Sequence, residues 1–333
     1  MSVITLAHGG GGTLQNELIR HEILQRFRSP LLADLPDGAL TPENLVISSD
    51  SFVITPRFFP GGNIGKLAVA GTVNDVLMAG GIPKYLTCSL IIEEGLELAE
   101  LQQILDSMAQ TAEACGVSIV TGDTKVVPRG AGDGLYINTA GVGFKRPELN
   151  LGSSRFVPGD KIIVSGSAGE HGLSIMAQRF EMDCPELKSD CGVLTDAVAA
   201  LIKASGNGSK IKFMRDATRG GVWGITAEIF EKSACGAVLY EDRLPVQPQT
   251  GSVAKLLGID PGFAACEGRL VAVVSSDCAE ECVKQLAENV PDCQHAAVIG
   301  EVTDTPGQVN LCNSWGSLRK LSVPSGDQLP RIC

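Results

Sequence analysis

Strand-patterned and helix-patterned segments alternate through this chain, and that alternation restricts it to an α/β fold, written more fully α/β (α+β) because some strands are consecutive. In the first half, Leu45–Thr55 reads as a strand rich in Val, Ile and Ser. Gly65–Ala79 reads as a helix, with Leu67, Ala70, Val73, Val76 and Leu77 on one side. Tyr85–Ile92 is a strand, Leu98–Cys115 a helix, and Val117–Val127 and Leu135–Phe144 are strands. Lys145–Asp160, rich in Pro, Gly and polar residues, reads as a linker. A second unit follows, with helices at Leu173–Phe180, Thr195–Ala204, Gly221–Lys232 and Cys278–Asn289 between strands at Lys161–Ser165, Ile211–Met214, Ala237–Tyr240 and Leu270–Ser275, closed by Ala296–Glu301 and Gln308–Cys312. The expected organisation is a first domain over 1–150, a second over 156–315 and a flexible tail over 316–333. Residues 1–16, with the run His8-Gly9-Gly10-Gly11-Gly12, read as a mobile loop.

The formal charge is −11 and Lys and Arg form no block, which argues against nucleic acid or an anionic membrane surface as the main partner. No apolar run approaches the roughly 18–20 residues of a membrane helix, and Met1 to His8 lacks a signal-peptide layout, so a cytoplasmic protein is expected. The 11 cysteines are expected to be thiols there. Cys278 and Cys282 share a helix face, but no CxxC or HExxH pattern points to a structural zinc site.

Four aspartates sit at expected strand ends or turns among small residues: Asp50, Asp75, Asp123 and Asp216. Small neighbours admit a polyphosphate, and the carboxylates would hold Mg²⁺ bridging to phosphate oxygens. Turn and capping roles are the common alternative for each one. Lys66, Lys125, Arg215 and Arg219 supply positive charge nearby in sequence. Gly61-Gly62-Asn63-Ile64-Gly65-Lys66 is not a Walker A loop, being one residue short and followed by Leu67. His171 at a loop–helix junction and Glu267 before an apolar strand are both candidates for proton transfer. Cys333 is the last residue, and a thiol at a mobile chain end can visit a site and carry a group away.

The segments Ala7–Gly12, Asp50–Val53, Phe59–Ala68, Gly71–Asp75, Gly122–Val127, Arg215–Gly221, Glu267-Gly268 and Leu329–Cys333 together resemble one family over essentially the whole length. It is the HypE family of hydrogenase maturation proteins, in the superfamily of aminoimidazole ribonucleotide synthetase and selenophosphate synthetase. The resemblance implies a two-domain PurM-like fold, in a homodimer whose N-terminal sheets close into a barrel. It implies an ATP-dependent carbamoyl dehydratase. A carbamoyltransferase, HypF, loads Cys333; ATP phosphorylates the carbamoyl oxygen; phosphate loss leaves a thiocyanate; and the cyano group passes to iron on a HypC–HypD scaffold. On that resemblance, nucleotide contacts are expected at His8, Gly10, Gly11, Lys66, Thr72, Asn74, Asp123, Arg215 and Thr218, and Mg²⁺ ligands at Asp50, Asn63, Asp75, Asp123 and Asp216. Lys125 would stabilise phosphoryl charge, and His171 or Glu267 would be the base. Two positions depart from the family pattern: Asn63 stands where Asp is usual, and Cys266 where Asn is usual. The first cysteine is Cys88, so a selenophosphate synthetase, which needs a reactive residue in its N-terminal glycine loop, fits poorly. A carrier whose Cys333 binds metal without turnover is the non-enzymatic alternative.

Overall fold

Helix α2, Ile64–Met78, is buried on nearly all sides, as expected of a helix apolar around most of its circumference. Its start is fixed by Asn63, whose side chain accepts from the N–H groups of Gly65 and Lys66. In this computed structural model, which describes residues 3–9, 12–27, 29–32, 35–322 and 332–333, α2 packs against a five-stranded sheet on one side and reaches the second half of the chain on the other.

That sheet comprises β1 (Ala39–Leu40), β2 (Leu45–Phe52), β3 (Gly81–Glu93), β4 (Ser118–Val127) and β5 (Leu135–Lys145), with α3 (Leu98–Ala114) between β3 and β4. The spatial order is β1-β2-β5-β3-β4. Of the neighbouring pairs only β3 and β4 run parallel, joined by the helical crossover through α3. β4 lies at the edge, and nine of its ten residues are exposed. Val120 and Val126 are 57% and 67% exposed there. An apolar edge open to water is a strand-pairing surface.

The second sheet has seven strands: β6 (Lys161–Val164), β7 (Ile211–Asp216), β8 (Gly236–Tyr240), β9 (Leu270–Val274), β10 (Ala297–Thr303), β11 (Val309–Cys312) and β12 (Leu318–Leu321). Their order is β12-β11-β8-β10-β6-β9-β7. Helices α4 (Glu170–Arg179), α5 (Thr195–Ala204), α6 (Gly221–Glu231), α7 (Pro248–Leu257) and α8 (Ala279–Asn289) complete this half. β9, paired on both sides by β6 and β7, is buried at every residue.

Three segments differ from the sequence reading. Leu6–Gly9 is a 3₁₀ turn, and α1 begins at Gly12, runs to Leu18 and continues helically to Phe27, where the sequence predicts a loop. Gly10 and Gly11 lie outside the described residues. α7 is hidden in the sequence because Pro248 and Gly251 look like breakers, yet Pro248 occupies the first turn, where its missing N–H costs nothing. β12 lies in the segment that reads as tail; it pairs with β11 and buries only Leu321, too little to leave a periodic signal. Among the described residues no helix is long and apolar enough to cross a membrane.

Candidate active site

Four carboxylates meet where the two halves of the chain come together. Asp37 comes from the turn before β1, Asp50 from β2, Asp75 from α2 and Asp216 from the end of β7. Ligand oxygens of Asp37, Asp75 and Asp216 all lie within 4.8 Å of one another. Arg215 reaches Asp37 at 3.1 Å, and Ser48 Oγ donates to Asp75 at 2.5 Å. Burial, with mutual repulsion added at Asp50, Asp75 and Asp216, holds all four carboxyls above the usual range, Asp75 well above it and Asp216 up to about 8. Carboxylates that burial and repulsion make costly to ionise become favourable ligands once a divalent ion sits among them. An all-oxygen set of this kind fits Mg²⁺. Gly71 permits the close approach of α2 to β2, for a Cβ there would stand 3.0 Å from the Phe52 ring.

A cavity of about 240 Å³ opens over these carboxylates and is lined also by Thr218, Arg219, Glu267 and Cys333. The chain terminus therefore reaches the acidic cluster. Ile332 is 4% exposed. Its carbonyl accepts from His171 Nε2 at 2.5 Å, and the Cys333 backbone oxygen accepts from the Val53 N–H at 3.0 Å. Negative charge at Cys333 is the largest influence raising the pKa of Arg219, whose Nη1 also donates to the Gly9 carbonyl.

Glu267 is 3% exposed, and its Oε1 has no hydrogen-bond partner among the described residues. Burial first, then the charges of Asp216 and Asp50, push its carboxyl well above the usual range. A carboxyl of raised pKa lining the cavity with Cys333 is a stronger proton acceptor once ionised than an ordinary carboxylate. Its position is set by Asp190, whose buried side chain accepts from the N–H groups of His171, Glu267 and Gly268. Gly268 is required there: a Cβ would fall 1.9 Å from the Asp190 carbonyl oxygen.

His171 sits behind the terminus, wholly buried, with its ring edge-on to that of Phe59. Burial holds its pKa below the usual value. Its Nδ1 lies 2.7 Å from Ser189 Oγ. Since Nε2 faces a carbonyl, which only accepts, Nε2 carries the proton and Nδ1 accepts from the serine. Both ring nitrogens are thus engaged, and Glu267 is the better placed of the two candidate bases.

The cavity therefore gathers Asp50, Asp75, Asp216, Arg215, Thr218, Glu267 and Cys333. It adds Asp37, which sequence reasoning missed. The other residues expected from the sequence lie elsewhere in the chain. Asn63 caps α2 and donates to Ser107 Oγ at 2.7 Å, so both ends of its amide are occupied. Thr72 is buried against Thr139. Asn74, 1% exposed, bridges the halves: Nδ2 donates to the Gly192 carbonyl at 3.0 Å and Oδ1 accepts from the Leu194 N–H at 2.9 Å. Lys66 donates to the Gly61 carbonyl and borders two other hollows. Asp123 and Lys125 pair at 2.8 Å on the exposed strand β4. His8 lies in the N-terminal 3₁₀ turn, bonded to Thr5.

Comparison with known proteins places these features in a family. The profile of the AIR synthase related protein N-terminal domain matches residues 37–144, and that of the C-terminal domain matches residues 157–311. The carbamoyl dehydratase HypE of Escherichia coli strain K12 is 44% identical over 342 residues, covering 100% of both chains. A crystal structure of the hydrogenase maturation protein HypE in complex with ATP is 40% identical, covers 99% of this chain and 100% of its own, and superposes with a TM-score of 0.82. A HypE–HypF complex structure is 39% identical, covers 92% of this chain and 99% of that one, with a TM-score of 0.87. The chain belongs to the HypE carbamoyl dehydratase family, within the AIR synthase related proteins.

Proposed function

We propose that this protein is a cytoplasmic, ATP-dependent carbamoyl dehydratase that converts an S-carboxamide on Cys333 to a thiocyanate, the source of a cyanide ligand for [NiFe]-hydrogenase iron. One observation carries the proposal: the terminal cysteine lines the same cavity as the acidic cluster and Glu267, whose Oε1 has no hydrogen-bond partner among the described residues. ATP binding is supported by the relative crystallised with ATP.

Oxide is a very poor leaving group from an amide-like carbon, whereas phosphate leaves readily. In the first step the carbamoyl oxygen attacks the γ-phosphorus, the bond to ADP breaks and one N–H proton is lost. In the second the C–O bond breaks, the remaining N–H proton is lost, and its electron pair completes the C≡N bond as phosphate departs. Asp37, Asp75 and Asp216 would hold Mg²⁺, which when bound neutralises charge on the phosphates. Arg215 and Arg219 add fixed positive charge beside that position. Glu267 takes the N–H proton lost in the first step and passes it to solvent before taking the second, and its raised pKa makes it the stronger base once ionised.

HypF is proposed as the loading partner, supported by the related complex, and a HypC–HypD iron scaffold as the acceptor. A homodimer is proposed through β4, whose exposed apolar edge is suited to pairing with a second copy. Such pairing would carry Lys125 into the interface and offer it to phosphate. The test is mass spectrometry of the C-terminal peptide after incubation with the carbamoyl-donor system and ATP. A thiocyanate on Cys333, absent in Cys333→Ala although that variant binds ATP, is expected. A thiocyanate on any other cysteine would contradict it.

A further inference from the structure

We propose that His171 is a positioning residue that seats the chain terminus, and that it does so by gripping backbone instead of the thiol. This inference rests on Cys333 as the group carrier and adds how that carrier is held. The backbone oxygens of Ile332 and Cys333 are held from opposite halves of the fold. Val53, just beyond β2, donates its N–H to the Cys333 backbone oxygen; His171, at the start of α4, donates Nε2–H to the Ile332 carbonyl. The Ile332 side chain is buried among apolar neighbours one residue before the thiol. His171 does not line the cavity, so its ring meets the terminus without meeting the reacting atoms.

The donor is pre-set. Ser189 fixes the tautomer through Nδ1 while its own Oγ accepts from the Cys191 N–H at 3.0 Å. Asp190 accepts from the His171 backbone N–H, and Phe59 packs edge-on against the ring. The Ser189 N–H in turn donates to the Pro60 carbonyl at 2.8 Å, tying this cluster to the first half. A buried imidazole whose ring cannot reorient makes a directional clamp at small entropic cost. Seating and loading then oppose each other: a thiol held over the acidic cluster is withheld from an outside donor, and the strength of the His171 contact sets the balance.

The test uses the full-length protein without nucleotide. Iodoacetamide capture of Cys333 is timed by mass spectrometry of the C-terminal peptide, with the buried cysteines as internal reference. His171→Leu removes the donor at similar volume; His171→Gln can place an amide N–H near the Nε2 position. Loss of one buried hydrogen bond predicts capture faster by about five- to ten-fold in His171→Leu, and single-turnover thiocyanate formation slower by a similar factor. ATP affinity stays within about two-fold, and His171→Gln lies nearer the wild type in both readouts. Unchanged capture in a folded His171→Leu overturns the proposal, as does a Gln variant no better than Leu. A second arm needs no core substitution. Deleting Ile332 and Cys333 is expected to shift the His171 imidazole Nε2–H resonance in nitrogen-15 spectra, and an unmoved resonance overturns the proposal even if His171→Leu fails to fold. If the wild type forms no thiocyanate, the dehydratase reading fails, while the capture and resonance arms still judge the seat.

Discussion

Replacing Glu267 by Gln keeps the side chain's shape and removes its capacity to accept a proton. General-base assistance contributes about 10²–10⁴-fold, or roughly 3–5 kcal/mol of barrier, so Glu267→Gln is expected to slow thiocyanate formation by that range. ATP affinity should change little, because Glu267 is not among the clustered carboxylates that would hold Mg²⁺. The direction of pH dependence follows from the raised carboxyl pKa. A base works ionised, so the wild-type rate should climb as pH rises through that value, and the Gln variant should lose the limb. Stability moves the other way. The folded pKa lies above the reference 4.5, so ionisation penalises the folded state. Glu267's share of stability is intact below 4.5 and is lost as pH rises toward the folded value. The stability difference, variant minus wild type, should therefore grow in the variant's favour with rising pH. The assay is single-turnover conversion of carbamoyl-loaded protein across roughly pH 6–9, paired with urea titrations. A Glu267→Gln rate within a factor of about three of wild type, with the pH limb retained, would refute the assignment.

Asp37→Asn should weaken Mg²⁺-dependent ATP binding about ten-fold or more by calorimetry, because it removes the negative charge of one of three clustered carboxylates; unchanged affinity would exclude Asp37 as a ligand. Asn74→Leu leaves the Gly192 carbonyl and the Leu194 N–H buried without their partner, and should cost about 2–5 kcal/mol in urea unfolding. A loss below about 0.5 kcal/mol would mean the bridge is not formed in solution. Val120→Glu on β4 puts charge on the proposed pairing edge and should turn a sedimenting dimer into monomer; a dimer that survives would move the interface elsewhere.

Much of the fold is legible in the sequence because its signals are local. α3 shows an apolar stripe at helical spacing, α2 is apolar on nearly all sides, and the buried strands β6 and β9 are runs of Val, Ile, Leu and Ala. The acidic cluster is legible only in part. Asp50, Asp75 and Asp216 stand among small residues, which hints at ligand approach. Asp37 lies in Leu35-Pro36-Asp37-Gly38, which reads as an ordinary turn, and only the packing of that turn onto β7 brings it to Arg215. Asn74 looks like a ligand beside Asp75, but a helix turns successive residues about 100° apart. One faces the cavity and the other the 192–194 segment. Ser189 and Asp190 carry no signal at all, since their partners, His171 and Glu267, are distant in sequence or reached through backbone. The hold on the terminus is equally invisible, because it grips backbone oxygens that every residue possesses.

The most direct measurement follows the oxygen. Protein loaded at Cys333 with a carbamoyl group labelled with oxygen-18 is given ATP in unlabelled water, and the released inorganic phosphate is analysed by mass spectrometry. Dehydration through a phosphorylated carbamoyl oxygen puts the label in the phosphate, one atom for each thiocyanate formed. Unlabelled phosphate alongside thiocyanate would contradict it, for the oxygen would then have left by another route.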